Sequence, residues 1–224
     1  MEIGPGQGAI TLPLLERCGA LDVIELDRDL VGPLADRAAP IGKLHIHQQD
    51  ALGVDFRSLA NGNSLRVVGN LPYNISTPLL FHLLDQAECI QDMHFMLQKE
   101  VVDRMTARPG NREYGRLSVM IQYHCQATSL FHIGPGAFRP APKVDSAFVR
   151  LATWAQRPVS VENYDTFSTL VRQAFSQRRK TLRNTLKALL DEAAIRRAGV
   201  DPSARAETLD VASYAALSNS LSAH

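Results

Sequence analysis

The sequence predicts an α/β fold with a mainly parallel sheet, followed by a small all-α C-terminal domain. Two observations lead to this expectation. Across residues 1–56, short apolar runs alternate with segments whose apolar side chains recur at helical spacing, which is typical of a parallel sheet covered by helices. Beyond residue 157 only helical periodicity remains. We therefore expect one domain over residues 1–156 and a second over residues 157–224.

Composition limits the class of protein. The 224 residues, 45% hydrophobic and 21% charged, are typical of an ordinary globular protein. No apolar run approaches the roughly 18–20 residues that span a bilayer, and no signal-peptide pattern opens the chain. The three cysteines are far apart, and the seven histidines show no metal-ligand spacing. We expect a cytoplasmic protein with reduced thiols, no metal ion and no membrane partner.

The predicted elements follow the chain in order. Strands are expected at residues 1–3, 21–27, 44–50, 65–68 and 92–99, and helices at residues 9–18, 28–39, 77–88 and 101–107. Residues 117–125 and 147–154 resemble two further strands, and helices are expected at residues 166–190 and 210–221. Arg178 would fall on the apolar face of a continuous helix, so we expect a break near Gln177 or a special role for Arg178.

Glycines and carboxylates lie at the carboxyl ends of the first three predicted strands. Gly4, Gly6 and Gly8 permit a tight turn that a ligand can approach closely, although such turns also serve helix packing alone. Glu25 ends the second strand, where a carboxylate can accept both hydroxyls of a ribose. Asp50 can accept from an adenine amine or simply cap a turn. This combination predicts an adenosine-containing cofactor.

The fourth predicted strand ends in Gly-Asn-Leu-Pro-Tyr at residues 69–73, the stretch around which the chain is organised. An apolar run followed by proline predicts a buried strand that stops abruptly. The Asn70 amide, the Leu71 carbonyl and the Tyr73 ring could then hold a flat, nitrogen-bearing group by its edge and its face. The alternative is an ordinary strand–turn in which asparagine and proline mark only the turn.

Two later segments suggest contacts with a nucleic acid. Prolines at positions 140 and 142 stiffen a loop that could hold Phe138 out as a second stacking ring. Residues 172–187 carry six basic side chains and no acidic one. A solvated helix usually mixes its charges, so this uninterrupted basic flank favours contact with a phosphate backbone over a merely solvated face. The basic residues expected to bind RNA are Arg178, Arg179, Lys180 and Arg183.

Five motifs resemble those of the bacterial 16S ribosomal RNA adenine dimethyltransferases. They are Glu-Ile-Gly-Pro-Gly-Gln-Gly at residues 2–8, Glu-Leu-Asp-Arg-Asp-Leu at 25–30, Gly-Asn-Leu-Pro-Tyr-Asn-Ile-Ser at 69–76, Phe-Arg-Pro-Ala-Pro-Lys-Val-Asp-Ser at 138–146, and Gln-Arg-Arg-Lys-Thr-Leu-Arg-Asn at 177–184. The resemblance implies a Rossmann-like class I methyltransferase that uses S-adenosylmethionine. Its partner would be 16S rRNA in the assembling small ribosomal subunit, and its product N6,N6-dimethyladenosine at two adjacent adenines of a hairpin loop.

The resemblance also implies roles for individual residues. Hydrogen bonds from the target amine to the Asn70 side chain and the Leu71 carbonyl would aim the nitrogen lone pair at the methyl group. Tyr73 and Phe138 would enclose a base taken out of its helical stack. Asn70 would also border the cofactor. We expect the enzyme to act as a monomer.

The family carries a segment before the glycine turn, ending in a Gln-Asn-Phe-Leu-like pattern, that covers the cofactor. Because this sequence begins three residues before Gly4, we interpret it as an N-terminally shortened member of the family. An RNA-binding assembly factor with the same fold and little or no turnover is therefore the main alternative. A nicotinamide-dependent oxidoreductase is a weaker alternative, because it leaves residues 69–73 and the basic flank unexplained.

Overall fold

The computed structural model describes residues 1–137 and 144–222, which divide into two compact units. The first unit comprises Met1–Val102 and Thr128–Thr153, and the second comprises Asp103–Ala127 and Trp154–His224. The return from the first unit to the second at Thr153 lies close to the predicted boundary at residue 156. Residues 103–127, however, were expected in the first domain and cluster with the second unit, because the helix at Arg116–His124 packs against later helices.

Seven strands and ten α-helices occur in the described residues. The strands are β1 (Glu2–Ile3), β2 (Ala20–Glu25), β3 (Lys43–Gln48), β4 (Leu65–Asn70), β5 (Ile90–Gln98), β6 (Cys125–Ile133) and β7 (Ser146–Thr153). The helices are α1 (Thr11–Cys18), α2 (Arg28–Ala38), α3 (Phe56–Ala60), α4 (Ser76–Leu84), α5 (Lys99–Thr106), α6 (Arg116–His124), α7 (Tyr164–Ala174), α8 (Leu182–Thr185), α9 (Glu192–Arg197) and α10 (Val211–Ser222). None of these helices combines the length and apolar character that crossing a membrane requires.

The strands form one sheet in the order β3-β2-β1-β4-β5-β7-β6. The first five strands pair in parallel, and β7 pairs antiparallel with β5. The chain winds outward from β1 in one direction to β3 and in the other direction through β4. In such sheets a ligand crevice lies outside the carboxyl ends of the strands at this reversal point. The sheet therefore places its crevice beside Gly4, which follows β1, and Asn70, which ends β4.

Local sequence explains why the first unit forms these elements. Asp27 caps α2 by accepting a hydrogen bond from the backbone N–H of Asp29 at 2.9 Å. Gly19 adopts a left-handed conformation and ends α1. The side chains of Leu15, Val23 and Leu34 are buried between these helices and the sheet, so they hold the glycine turn against a rigid support.

Gly69 is required where β4 approaches β1. A Cβ atom at this position would lie 2.5 Å from the Ile3 carbonyl oxygen and 3.1 Å from the Leu71 side chain. We expect Gly69→Ala to lower the free energy of unfolding by about 1–3 kcal/mol, because backbone at the crevice would have to move. Urea denaturation measures this effect. Gly134→Ala is the matched control, because its added Cβ meets no atom of the described residues within 4 Å. Equal losses in both variants would contradict the steric explanation.

A buried carboxylate is neutralised at the edge of the β4–β5 pair. Asp92 is 2% exposed, and its two oxygens accept hydrogen bonds from the Arg66 guanidinium, each at 2.9 Å. Burial alone would raise the pKa of Asp92, but the hydrogen bonds and charge of Arg66, with His94 and Arg150 nearby, outweigh it and lower the pKa. The ionised form therefore stabilises the fold above the pKa of the unfolded chain, and this stability is lost as pH falls through the lower folded-state pKa.

Removing the arginine should reverse this pH dependence. In Arg66→Met, only His94 and Arg150 still offset the burial of Asp92. We therefore expect the free energy of unfolding to fall by about 1–3 kcal/mol at pH 7, less than for a fully buried pair because Arg66 is mostly exposed. The difference from the parent should shrink as the pH falls from about 6 to about 3, because the variant then gains by protonating Asp92. Urea denaturation across this range tests the sign; a difference that grows toward acid pH would contradict it.

Two sequence-based expectations about secondary structure are wrong. Residues 117–125 were expected to form a strand, but Arg116–His124 is the helix α6. This helix is buried on nearly all sides, so apolar residues at alternate positions do not mark one face of a sheet. The helix expected over residues 166–190 ends at Ala174, and only Leu182–Thr185 returns to helical structure. The predicted break near Gln177 is confirmed.

Candidate active site

The carboxyl ends of β1 and β4 bring the two predicted halves of the site together in the first unit. The N–H of Gly4 donates to the Ile24 carbonyl at 3.0 Å, so the glycine turn begins beside the end of β2. A Cβ at Gly4 would lie 3.9 Å from the Asn70 backbone oxygen. The glycine turn, the end of β2 and the end of β4 therefore border one crevice.

The Glu25 carboxylate fixes the glycine turn by accepting a hydrogen bond from it. Glu25 is 7% exposed; one carboxylate oxygen accepts from the Gly6 N–H at 3.1 Å and the other from the Asp27 N–H at 2.9 Å. Gly6 has φ +55°, a backbone conformation that is strained for residues with a side chain. Glycine is therefore needed to aim this N–H at the carboxylate. Each carboxylate oxygen retains a second acceptor site, which leaves Glu25 able to accept the two hydroxyls of a ribose.

Asp50 and Leu26 lie at the neighbouring strand ends. The Asp50 carboxylate accepts from the Leu52 N–H at 2.9 Å and so caps a turn, while its side chain stays exposed. The N–H of Gln49 donates to the Glu25 carbonyl at 3.1 Å, which holds the ends of β2 and β3 together. Leu26, directly after Glu25, is 66% exposed. A large apolar side chain left open at a strand end suits the face of a flat ring, and the sequence analysis missed it.

Glu2 is a second buried carboxyl that the sequence analysis did not single out. It lies on β1 under the glycine turn and accepts a hydrogen bond from the Thr11 hydroxyl at 2.6 Å. Burial raises the pKa of Glu2, and the Thr11 hydrogen bond offsets this only in part. Glu2 therefore ties the start of α1 to β1 and fixes the turn between them. In the sequence, the only sign of the burial of Glu2 is that it lies beside Ile3 in the predicted first strand.

The second half of the site presents acceptors at the end of β4. Asn70 is exposed and ends the strand, while the Leu71 side chain is buried. The Leu71 N–H donates to the Met96 carbonyl at 3.3 Å, which extends the pairing with β5 by one residue. Within residues 1–137 and 144–222, no hydrogen bond engages the Leu71 carbonyl. The Asn70 amide and this carbonyl are therefore available to an amine.

Tyr73 is held at both ends. Its hydroxyl lies 3.0 Å from the Ser146 hydroxyl, and its carbonyl accepts from the Ser76 hydroxyl at 3.1 Å. Tyr73 is 37% exposed, so part of the residue packs against the protein and part faces solvent. Phe138, the predicted second ring, lies outside the described residues. Among the residues that the structure does describe, histidine, cysteine and carboxylate side chains form no cluster that could hold a metal ion.

The basic flank belongs to the second unit. Arg178, Arg179, Lys180 and Arg183 are all exposed. Backbone pairing anchors the segment that carries them: Leu182 N–H donates to the Ala204 carbonyl at 2.9 Å, and Arg183 N–H donates to the Pro202 carbonyl at 3.0 Å.

Two of the four basic side chains have protein partners. Residues 172–187 contain no acidic residue, but the Arg183 guanidinium lies 3.7 Å from the Glu192 carboxylate because the start of α9 returns beside it. The Arg178 guanidinium donates a hydrogen bond to the Arg112 carbonyl.

Comparison with known proteins finds a matching family model and similar relatives. The family model described as ribosomal RNA adenine dimethylase matches residues 1–223. The ribosomal RNA small subunit methyltransferase A of Xanthomonas campestris pv. campestris (strain B100) is 59% identical over 219 residues, covering 98% of this chain and 84% of the relative. The relative from Xanthomonas oryzae pv. oryzae (strain PXO99A) is 58% identical over the same length.

Two solved structures share the fold. A dimethyladenosine transferase from Plasmodium falciparum superposes with a TM-score of 0.80 at 25% identity, covering 96% of this chain and 86% of that one. The 23S rRNA methyltransferase ErmE superposes with a TM-score of 0.75 at 24% identity, covering 99% of this chain and 89% of that one. The predicted Rossmann-like class I methyltransferase sheet is thereby confirmed.

Proposed function

This chain belongs to the ribosomal RNA adenine dimethylase family, and we propose that it transfers methyl groups from S-adenosylmethionine to N6 of two adjacent adenines in a 16S rRNA hairpin loop. The product is N6,N6-dimethyladenosine. One observation carries the proposal: a ribose-type carboxylate and two unused amine acceptors border the same crevice at the reversal point of the sheet. We expect it to act as a cytoplasmic monomer on small subunits during their assembly.

The residues around the glycine turn fit an adenosine cofactor. The free acceptor sites of Glu25 suit the ribose hydroxyls, and Leu26 offers an apolar surface to the adenine ring. The second oxygen of Asp50 can accept from the adenine amine while the first caps the turn. Gly4 and Gly6 keep side chains away from the cofactor. Gly8, predicted with them, instead lets the turn pack against the helices, because a Cβ there would lie 2.8 Å from the Leu34 side chain. When bound, S-adenosylmethionine supplies an electrophilic methyl group and a sulfonium leaving group.

The residues at the end of β4 can make the target adenine amine a better nucleophile. The lone pair of an adenine amine is delocalised into the ring. Hydrogen bonds from its two N–H groups to the Asn70 side-chain oxygen and the Leu71 carbonyl favour a pyramidal nitrogen whose lone pair points along the attack direction. As the new N–C bond forms and the C–S bond breaks, the nitrogen becomes positive and loses a proton to solvent. Positioning supplies most of the remaining catalysis, so a dedicated base is not required.

Aromatic side chains hold the base in place. The target must leave its helical stack to reach the crevice, which costs a few kcal/mol. Tyr73 presents a half-exposed ring beside the two acceptors and can repay part of this cost by stacking. We propose Phe138 as the opposing ring. The second methylation requires the amine to rebind with one proton fewer, which leaves one of the two acceptors without a donor.

The basic flank is proposed to bind the rRNA backbone. We expect the triple variant Arg179→Ala, Lys180→Ala and Arg183→Ala to lower the slope of log affinity against log salt by about 0.7–0.9 for each lost phosphate contact. Arg183 should contribute least, because Glu192 partly neutralises it. Filter binding to small subunits measures the slope over roughly 50 to 200 mM salt, the range in which such effects appear.

A charge-matched triple provides the control for this prediction. Arg17, Lys43 and Arg197 are exposed basic residues outside the flank, and replacing them by alanine removes the same net charge. The control should change the salt slope little. If both triples alter the slope equally, the flank acts only through overall charge and is a solvated face.

Methyl transfer to different RNA substrates tests the proposed function. Small subunits that lack the dimethylated adenines should accept labelled methyl from S-adenosylmethionine, whereas mature small subunits and large subunits should not. Binding to the unmodified subunits without any transfer would instead favour an assembly factor without turnover. Titration with NAD provides the control for the cofactor, since the proposal expects binding of S-adenosylmethionine only.

A further inference from the structure

Ser146 is the first residue of β7 and is completely buried, with 0% of its surface exposed. Its hydroxyl lies 3.0 Å from the Tyr73 hydroxyl, across 73 residues of chain. Buried hydroxyls usually bond to nearby backbone, so a bond from this position to a half-exposed aromatic ring is specific. In the sequence, Ser146 is marked only as the last residue of the motif at residues 138–146.

Rigid sheet structure holds Ser146 in place. Ser146 pairs with Gln98 in the antiparallel ladder between β5 and β7. The preceding carbonyl, of Asp145, accepts from the Lys99 N–H at 2.9 Å. The Ser146 hydroxyl is therefore anchored through the ladder between β5 and β7.

The hydrogen bond restricts the Tyr73 ring. Ser76, at the start of α4, already holds the Tyr73 carbonyl, so the backbone is fixed at one end. Without a partner for the phenol, the half-exposed ring would be free to adopt other rotamers. With the bond to Ser146, both the backbone and the tip of the ring are fixed before any base arrives.

We propose that Ser146 is a positioning residue for methyl transfer: it fixes the Tyr73 ring in the orientation that stacks on the target adenine. This inference rests on the proposed stacking role of Tyr73. Fixing the ring in advance removes the cost of ordering one aromatic side chain when the base enters. That cost corresponds to a factor of about 3–10 in the rate of methyl transfer to RNA that is already bound.

A double-mutant cycle tests the proposal. The variants are Ser146→Ala, Tyr73→Phe and both together. Tyr73→Phe keeps the stacking surface and loses only the hydroxyl. Each single change should lower the single-turnover rate by about 3- to 10-fold with little change in RNA affinity, and the double variant should be no slower than either single variant. RNA carrying 2-aminopurine at the target position should show weaker stacking quench in all three variants.

Control variants separate this role from a structural one. Ser218→Ala removes another fully buried serine hydroxyl, one without a hydrogen-bond partner in the described part of the second unit, and should leave the rate and the quench unchanged. Additive losses in the double variant, or full activity of Ser146→Ala beside an impaired Tyr73→Phe, would overturn the positioning role alone. Unchanged quench and rate in Tyr73→Ala would overturn the stacking role of Tyr73, and the inference with it.

Discussion

Replacing Asn70 by alanine is expected to slow methyl transfer by roughly 30- to 1,000-fold, a loss of about 2–4 kcal/mol of transition-state stabilisation. The change removes one of two acceptors that orient the target amine, and it leaves the Leu71 carbonyl in place. Because Asn70 is exposed at the end of β4, the fold should tolerate the change. Single-turnover transfer to small-subunit RNA measures the rate, and filter binding should show nearly unchanged RNA affinity.

A nearby asparagine provides the control for this variant. Asn63 is also exposed and lies two residues before the amino end of the same strand, away from the crevice. Asn63→Ala should transfer methyl groups at the parental rate. If Asn70→Ala matches the parent as well, the proposed contact between Asn70 and the target amine is wrong.

Glu25→Gln is expected to weaken S-adenosylmethionine binding by about 1.5–3 kcal/mol, or roughly 10- to 150-fold. The neutral amide loses a charged acceptor for the ribose. The amide also turns an NH₂ group toward the backbone N–H of Gly6 or of Asp27. That N–H then loses the acceptor that the Glu25 carboxylate provides in the parent. Both effects act on the cofactor side of the crevice, so the loss should appear in cofactor affinity more than in RNA affinity.

Isothermal titration with S-adenosylmethionine measures the effect of Glu25→Gln. Glu16→Gln, an exposed change on α1, provides a control of the same chemistry and should bind like the parent. Thermal unfolding of both variants shows whether the glycine turn has loosened. Unchanged cofactor affinity in a folded Glu25→Gln variant would mean that Glu25 serves the turn and not the ribose.

The strand ends were predictable because local sequence marks them. Glycines at positions 4, 6 and 8 and the proline after Leu71 stop their strands abruptly, and the parallel pairing of β1 to β5 then places the carboxyl ends of these five strands on one edge. Glu25 and Asn70 could therefore be placed on one crevice without knowledge of the structure. Leu26 was missed because an apolar residue after a strand does not attract notice until its exposure is known.

Features that depend on distant pairing were not predictable in the same way. The bond between Tyr73 and Ser146 exists because β7 returns antiparallel beside β5, and no local pattern fixes that neighbour. Glu192 lies only nine residues after Arg183, but a tight connection, not helical spacing, brings them together. Apolar residues recur at alternate positions along residues 117–125, which is typical of a strand. The segment forms the helix α6 instead, and because α6 is buried on nearly all sides, this alternation does not mark one face of a sheet.

The central claim is that this crevice dimethylates adenine at N6. The most direct test is a reaction of the full chain with S-adenosylmethionine that carries a deuterated methyl group and with unmodified small subunits, followed by mass analysis of the nucleosides from the RNA. The account predicts N6,N6-dimethyladenosine with two deuterated methyl groups, and its loss in Asn70→Ala. Label on another nucleoside, or no label in the parent, would contradict it.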